Sequence, residues 1–126
     1  MAGELVLIVE DNERNRKLAR DVLQVKGYET VDAGTAEDGL KIAHARMPAL
    51  VLMDIQLPGM SGIDALKALR ADAATAAIPV IAITASVMQQ DRQEIMKAGF
   101  SGFIEKPVNI RGLLETVQKI VKADKA

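Results

Sequence analysis

Five short runs of β-branched and aliphatic residues punctuate the chain, at Leu5 to Val9, Glu29 to Ala33, Leu50 to Asp54, Val80 to Thr84 and Gly102 to Glu105, and each is followed by a stretch with helical spacing. That alternation constrains the fold more than any other feature, because strand followed by helix, five times over, is the pattern of βα units. The first, third and fourth runs are almost wholly apolar, as strands buried on both faces must be. Right-handed crossovers then lead to an α/β class, a doubly wound five-stranded parallel sheet.

The helical stretches carry their own punctuation. Leu18, Ala19, Val22 and Leu23 mark one face of the first, and Gly27 is placed to end it in a left-handed conformation. Thr35, with Asp38 three positions on, opens the second, which turns Leu40 and Ala43 inward and stops before Pro48. The third is short, with Ile63, Leu66 and Leu69, and Ala71 to Ala77 reads as its end running into a loop. Ser86 with Gln89 forms a capping-box signature for the fourth, and Asn109 is a cap for the fifth. Ile110, Leu113, Leu114, Val117 and Val121 recur at helical spacing and predict a firmly docked last helix. Gln89 to Glu94 is a polar run, so the fourth helix has Val87, Met88, Ile95 and Met96 to hold it and is expected to be the loosest element.

Length and charge exclude several classes. With 126 residues the expectation is a single domain over 1–126 with no output domain. Net charge is −1, and no cluster of Lys and Arg is interleaved with aromatics, which argues against nucleic acid as a partner. No apolar run is long enough to span a bilayer, and cysteine is absent, so a cytoplasmic location is expected, with no membrane partner.

Ligands of open α/β sheets bind beyond the carboxyl ends of the strands, so the residues there are the informative ones. They are Glu10, Asp11 and Asn12 after the first strand, Asp54 at the third, Thr84 at the fourth, and Glu105, Lys106 and Pro107 at the fifth. Crowded carboxylates repel and lose hydration, which a divalent cation with hard oxygen ligands relieves. Mg²⁺ suits such a site, since it takes one or two carboxylates, keeps waters and accepts phosphate oxygens. Asp54 is then a nucleophile able to form an aspartyl-phosphate, with Lys106 and Thr84 able to hold phosphoryl oxygens. Singly, an Asp at a strand end is more often a turn residue; four strand ends with the right chemistry in the right order are another matter. Asn12 reads as a helix cap first, Phe103 by composition as a core or edge aromatic, and His44 as a surface residue.

The strings Val9-Glu10-Asp11-Asn12-Glu13, Leu52-Met53-Asp54-Ile55-Gln56-Leu57-Pro58, Ile83-Thr84-Ala85 and Lys106-Pro107 resemble the four signatures of response-regulator receiver domains of two-component systems, over about residues 4 to 122. The resemblance implies a flavodoxin-like (βα)5 fold with strand order 2-1-3-4-5, an order for which a chemotaxis receiver is a standard illustration. By position it implies Asp54 as phosphoacceptor and Asp11, Asp54 and the main-chain carbonyl of Gln56 as metal ligands for Mg²⁺. Glu10 would act through bound water, Thr84 and Lys106 would hold the phosphoryl group, Phe103 would be the aromatic switch with Thr84, and Pro107 would follow a cis bond. Implied partners are a histidine kinase or histidine phosphotransfer protein as donor and a downstream protein that reads the face of the fourth helix, fifth strand and fifth helix. Slow autodephosphorylation, tuned by Gln56 and Ser86, is part of the same expectation, as is the lack of conventional enzyme turnover. The strings look closest to single-domain regulators of the DivK type, and receivers excised from hybrid histidine kinases share them. A Mg²⁺-dependent phosphatase of the haloacid dehalogenase type also uses a strand-end Asp, but wants a second acid two residues on, where Gln56 stands.

Overall fold

In the computed structural model, residues 3–85, 89–106 and 108–125 are described, without the side chains of 89–92 and 122–125. The order of elements is β1 (Leu5–Val9), α1 (Glu13–Val25), β2 (Glu29–Ala33), α2 (Ala36–Arg46), β3 (Leu50–Asp54), α3 (Gly62–Ala71), β4 (Val80–Thr84), α4 (Gln89–Ala98), β5 (Gly102–Glu105) and α5 (Ile110–Lys125). All strand pairs are parallel, as the alternation of strands and helices predicts, and the sheet order is β2-β1-β3-β4-β5, as the family resemblance implies.

Alternation along the central strands divides the core in two, because successive side chains point to opposite faces of a sheet. Val6, Ile8, Leu50, Leu52, Ile81 and Ile83 pack under α1 and α5, against Ala19, Leu23, Leu113 and Val117. Leu7, Val9, Val51, Met53, Val80 and Ala82 pack under α2, α3 and α4, against Ala43, Ala65, Leu66 and Ile95. Both faces of the sheet are thus covered, and β1, β3 and β4 are buried almost throughout.

The helix ends follow the local chemistry of the chain. Asn12, Thr35, Ser61 and Asn109 each accept a hydrogen bond from the backbone N–H three residues on, at 3.0, 3.2, 3.1 and 3.0 Å, which satisfies donors that a helix cannot pair itself. Such a cap is worth about 1 kcal/mol. At the end of α1, Gly27 has φ +92° and the Tyr28 and Gly27 amides return to Leu23 O and Gln24 O, closing the left-handed turn expected there.

Two expected core contacts differ. Ile110 is 53% exposed and Met96 is 50% exposed. Ile110 lies in the first turn of α5, where side chains lean back towards the helix start, so the buried stripe begins at Leu113. Met96 follows Ile95, and neighbours on a helix are about 100° apart, so with Ile95 turned inward Met96 is turned away. Ser86, Val87 and Met88, expected to open and anchor α4, lie outside the described residues. Among the described residues no helix is long and apolar enough to cross a membrane.

Candidate functional site

The carboxyl ends of β1, β3, β4 and β5 meet at one edge of the sheet, and close helix packing holds them there. The Glu10 amide donates to Ala33 O at 3.1 Å, which carries the β1 pairing one residue beyond the strand. The Gly62 amide donates to Ile55 O at 2.9 Å, seating the start of α3 against the end of β3. A Cβ on Gly62 would lie 2.3 Å from Asp54 O and 2.8 Å from Ile55 Cα, so no larger residue fits without moving backbone. On the same face, a Cβ on Gly39 would meet Val9 Cγ2 at 2.7 Å, so α2 lies equally close on β1.

Three carboxylates and one ammonium converge in this cleft. Glu10 and Asp54 are each 1% exposed. Asp11 beside them is exposed, and one oxygen from each of the three lies within 4.8 Å of the others. Lys106 Nζ donates to Asp54 Oδ2 at 2.7 Å and stands 3.6 Å from Glu10 Oε2. The other Asp54 oxygen accepts from the Gln56 amide at 2.9 Å. Glu10 Oε1 accepts from the Asn12 amide at 3.3 Å and from Asn15 Nδ2 at 3.4 Å, whereas its buried Oε2 has no hydrogen-bond partner.

Charge is not balanced by this set. Burial, then the close approach and charge of Asp54, push the Glu10 carboxyl up to about 7, against the opposing pull of Lys106 and the Asn12 amide. Burial pushes Lys106 down, but its contacts with Asp54 and Glu10 outweigh this and leave its ammonium raised above the ordinary lysine value. One ammonium against three acids leaves negative charge in a poorly hydrated place, and the orphaned Glu10 oxygen marks where compensation is lacking. An all-oxygen donor set of this kind fits a hard divalent cation of the Mg²⁺ class.

The sequence-predicted residues Glu10, Asp11, Asp54 and Lys106 are therefore brought together. Gln56, two residues after Asp54, is exposed, with its amide turned to Asp54. Thr84 is buried at the end of β4, opposite Glu105, and its carbonyl accepts from the Lys106 amide at 2.8 Å. Phe103 is half-buried on β5, packed at the margin of the core under α2, α3 and α4. Ser86 and Pro107 lie outside the described residues. His44 is exposed as expected, 3.1 Å from Asp72 across the α2 and α3 surfaces.

Sequence reading missed Asn15, Arg16 and Gly62 near the site and Arg70 further off. Arg70 Nη1 donates to Ala76 O and Ile78 O at 3.0 and 2.7 Å, and its Nη2 to Gly99 O at 3.3 Å. A guanidinium satisfied by three carbonyls leaves no mark in the sequence. The Gly62 signal was present, as a glycine just inside a helix start, where Ser61 three before Asp64 forms a cap signature.

With the geometry in place, comparison with known proteins decides the family. The model of the response regulator receiver domain matches residues 6–118. The chain belongs to the response-regulator receiver family. Among its relatives, the polar-differentiation response regulator DivK of Brucella ovis is 42% identical over 113 residues, which cover 90% of this receiver and 92% of that protein. The structure of chemotaxis protein CheY4 of Vibrio cholerae superposes with a TM-score of 0.89 at 28% identity, covering 94% of this chain and 99% of that one. The receiver domain of the sensor histidine kinase PA1611 of Pseudomonas aeruginosa, with a magnesium ion coordinated in its active site cleft, superposes with a TM-score of 0.87 at 29% identity, over 96% and 99% of the two chains. The receiver domain is thus of the two-component signalling type, with similarity to a response regulator, a chemotaxis protein and the receiver domain of a sensor histidine kinase.

Proposed function

We propose that this receiver takes a phosphoryl group on Asp54 from a phosphohistidine of a sensor kinase or phosphotransfer protein, in a cleft that also binds Mg²⁺. The observation that carries this reading is the buried Asp54 carboxylate, with Lys106 Nζ at 2.7 Å on one side and Glu10 and Asp11 on the other. In the transfer, an Asp54 oxygen bonds to phosphorus as the phosphorus–nitrogen bond of the donor breaks, and the imidazole leaves with the bonding pair. Asp54 attacks as the ionised carboxylate, so no general base is needed.

Positioning and charge do the remainder of the work in phosphoryl transfer. Lys106 swings its ammonium from the free carboxylate to a phosphoryl oxygen, and the Thr84 hydroxyl donates to another. Asp11, Asp54 and the Gln56 main-chain carbonyl hold the metal, with Glu10 acting through water. Bound there, Mg²⁺ supplies the positive charge that three acids and one lysine lack. Capture of Thr84 by the phosphoryl group draws Phe103 inward, and a downstream protein reads the altered α4-β5-α5 face. The acyl phosphate is lost slowly to water, at a rate set by Gln56 and Ser86. The donors this reading requires place the protein in the cytoplasm.

The test is incubation with acetyl phosphate, with and without Mg²⁺, followed by intact mass and peptide mapping. One phosphoryl group on the peptide of Asp54, dependent on Mg²⁺ and lost in Asp54→Asn, is expected. A label on another side chain, or equal labelling in the presence of chelator, would overturn the reading.

A further inference from the structure

Behind the acidic turn lies a second charged group that the phosphoryl chemistry does not use. Arg16, in the first turns of α1, donates from Nη1 to the main-chain carbonyls of Glu10 at 2.9 Å and Asp11 at 3.4 Å. Its Nε donates to Asp32 Oδ2 on β2 at 3.2 Å, and Arg20 approaches the same carboxylate oxygen at 3.4 Å. Glycine at residue 34 leaves the guanidinium its room: a Cβ there would stand 3.1 Å from Arg16 Nη1, close enough that the fork would have to shift by a few tenths of an ångström. An arginine on α1, an aspartate on β2 and a missing side chain just after β2 converge on one fork. What the fork holds is the backbone of two of the three residues that present carboxylates to the cleft.

We infer that Arg16 is a positioning residue for the metal site, with Asp32 and Gly34 as its seat, and that the edge strand β2 thereby contributes to Mg²⁺ affinity without touching the ion. The inference rests on the Mg²⁺ reading above. Asp11 is exposed, so its share in the cluster depends on where its backbone is fixed. Loosening a group that orients metal ligands typically costs 10–100-fold in affinity. Simple electrostatics predicts the reverse, because Arg16 is a cation close to a cation site and its removal would tighten binding. The sign of the change therefore separates positioning from charge.

Mg²⁺ binding to the full chain is measured by titration calorimetry, well below the unfolding temperature, for the wild type, Arg16→Met, Asp32→Asn and Gly34→Ala. Arg16→Met is expected to weaken binding at least about tenfold, with the other two weaker in the same direction. Phosphorylation by acetyl phosphate should return to within about twofold of wild type at saturating Mg²⁺, a defect in affinity and not in rate. Unchanged or tighter Mg²⁺ binding by a folded Arg16→Met protein overturns the inference, even if its melting temperature falls. Should that variant fail to fold, unaltered affinity in both Asp32→Asn and Gly34→Ala overturns it equally. If the wild type itself binds no Mg²⁺ at millimolar concentration, it is the proposed function that fails; wild-type binding with indifferent variants removes the Arg16 inference alone.

Discussion

Lys106 Nζ and Asp54 Oδ2 meet at 2.7 Å although 52 residues separate them in the chain. Asp54 is buried and Lys106 keeps about a quarter of its side chain in contact with solvent. The pair is therefore a buried carboxylate with a cation that can move away, which is what the proposed transfer would require of an acceptor released for attack and of a lysine that follows the incoming oxygens.

Removing that cation should do two separable things. Lys106→Ala leaves Asp54 and Glu10 buried without a counter-charge, and the expected loss in urea unfolding with chelator present is about 1–3 kcal/mol, discounted from the cost of breaking a fully buried pair. Phosphorylation by acetyl phosphate at saturating Mg²⁺ should fall by on the order of a hundredfold, as when one fixed donor to a reacting oxygen is lost. Loss of stability with an intact rate would show that Lys106 serves the fold alone.

Stability and metal binding should both depend on Glu10 through pH. Its carboxyl is raised from 4.5 to about 7 in the folded protein, so the folded state retains a proton that the unfolded chain has released. The associated stability is fully present below about pH 4.5 and is lost as pH rises through about 7. Metal-free wild type should therefore lose stability relative to Glu10→Gln across that window. Mg²⁺ affinity should rise over the same range, because binding competes with the proton. Parallel stability curves for the two proteins between these pH values would contradict the assignment.

Two glycines make a graded test of how the site is held. Gly62→Ala drives a methyl group into the Asp54 carbonyl and the Ile55 backbone, while Gly39→Ala meets the rotatable Val9 side chain. Both should destabilise, by roughly 1–3 kcal/mol, with Gly62→Ala the costlier in chemical denaturation. Gly62→Ala should also weaken Mg²⁺ binding, since Asp54 is the residue displaced. An equal cost for the two would mean that β3 yields as easily as a side chain.

Met47 offers a stabilising change remote from the cleft. It caps α2 in the left-handed region at φ +47° and is 49% exposed, so its side chain gains little while its backbone is strained. Met47→Gly should raise stability by about 0.5 kcal/mol, the relief of strain less the added freedom of the unfolded chain. Met47→Val, stiff at its branched Cβ, should lower it. A thermal melt of the three proteins in parallel decides the order.

Most of the sheet was legible because its signal is local. All five strands fall where their aliphatic runs lie, since a β-branched run beside a turn needs no distant partner to identify it. Glu10, Asp11, Asp54 and Lys106 were legible as a group because parallel topology brings strand ends to one edge. Their distances were not, and neither was the orphaned Glu10 oxygen. Ile110 had the right spacing for burial, but spacing does not say how far along the helix the sheet extends, and the adjacent pair Ile95 and Met96 left open which of the two faces inward. Arg16 and Arg70 were invisible for another reason. Their partners are main-chain carbonyls, which every residue carries, so nothing in the sequence distinguishes the carbonyl that will be gripped.

The order of the strands has a consequence for synthesis. Lys106 belongs to the last strand-to-helix junction of the chain, and β5 adds to the sheet beside β4, far from where β1 began it. A ribosome has thus delivered the other four strands of the sheet before the acids at the ends of the first and third strands acquire their counter-charge. Nascent or clipped chains that end before it would carry the acidic residues without the lysine, and so would be poor competitors for a kinase's phosphate.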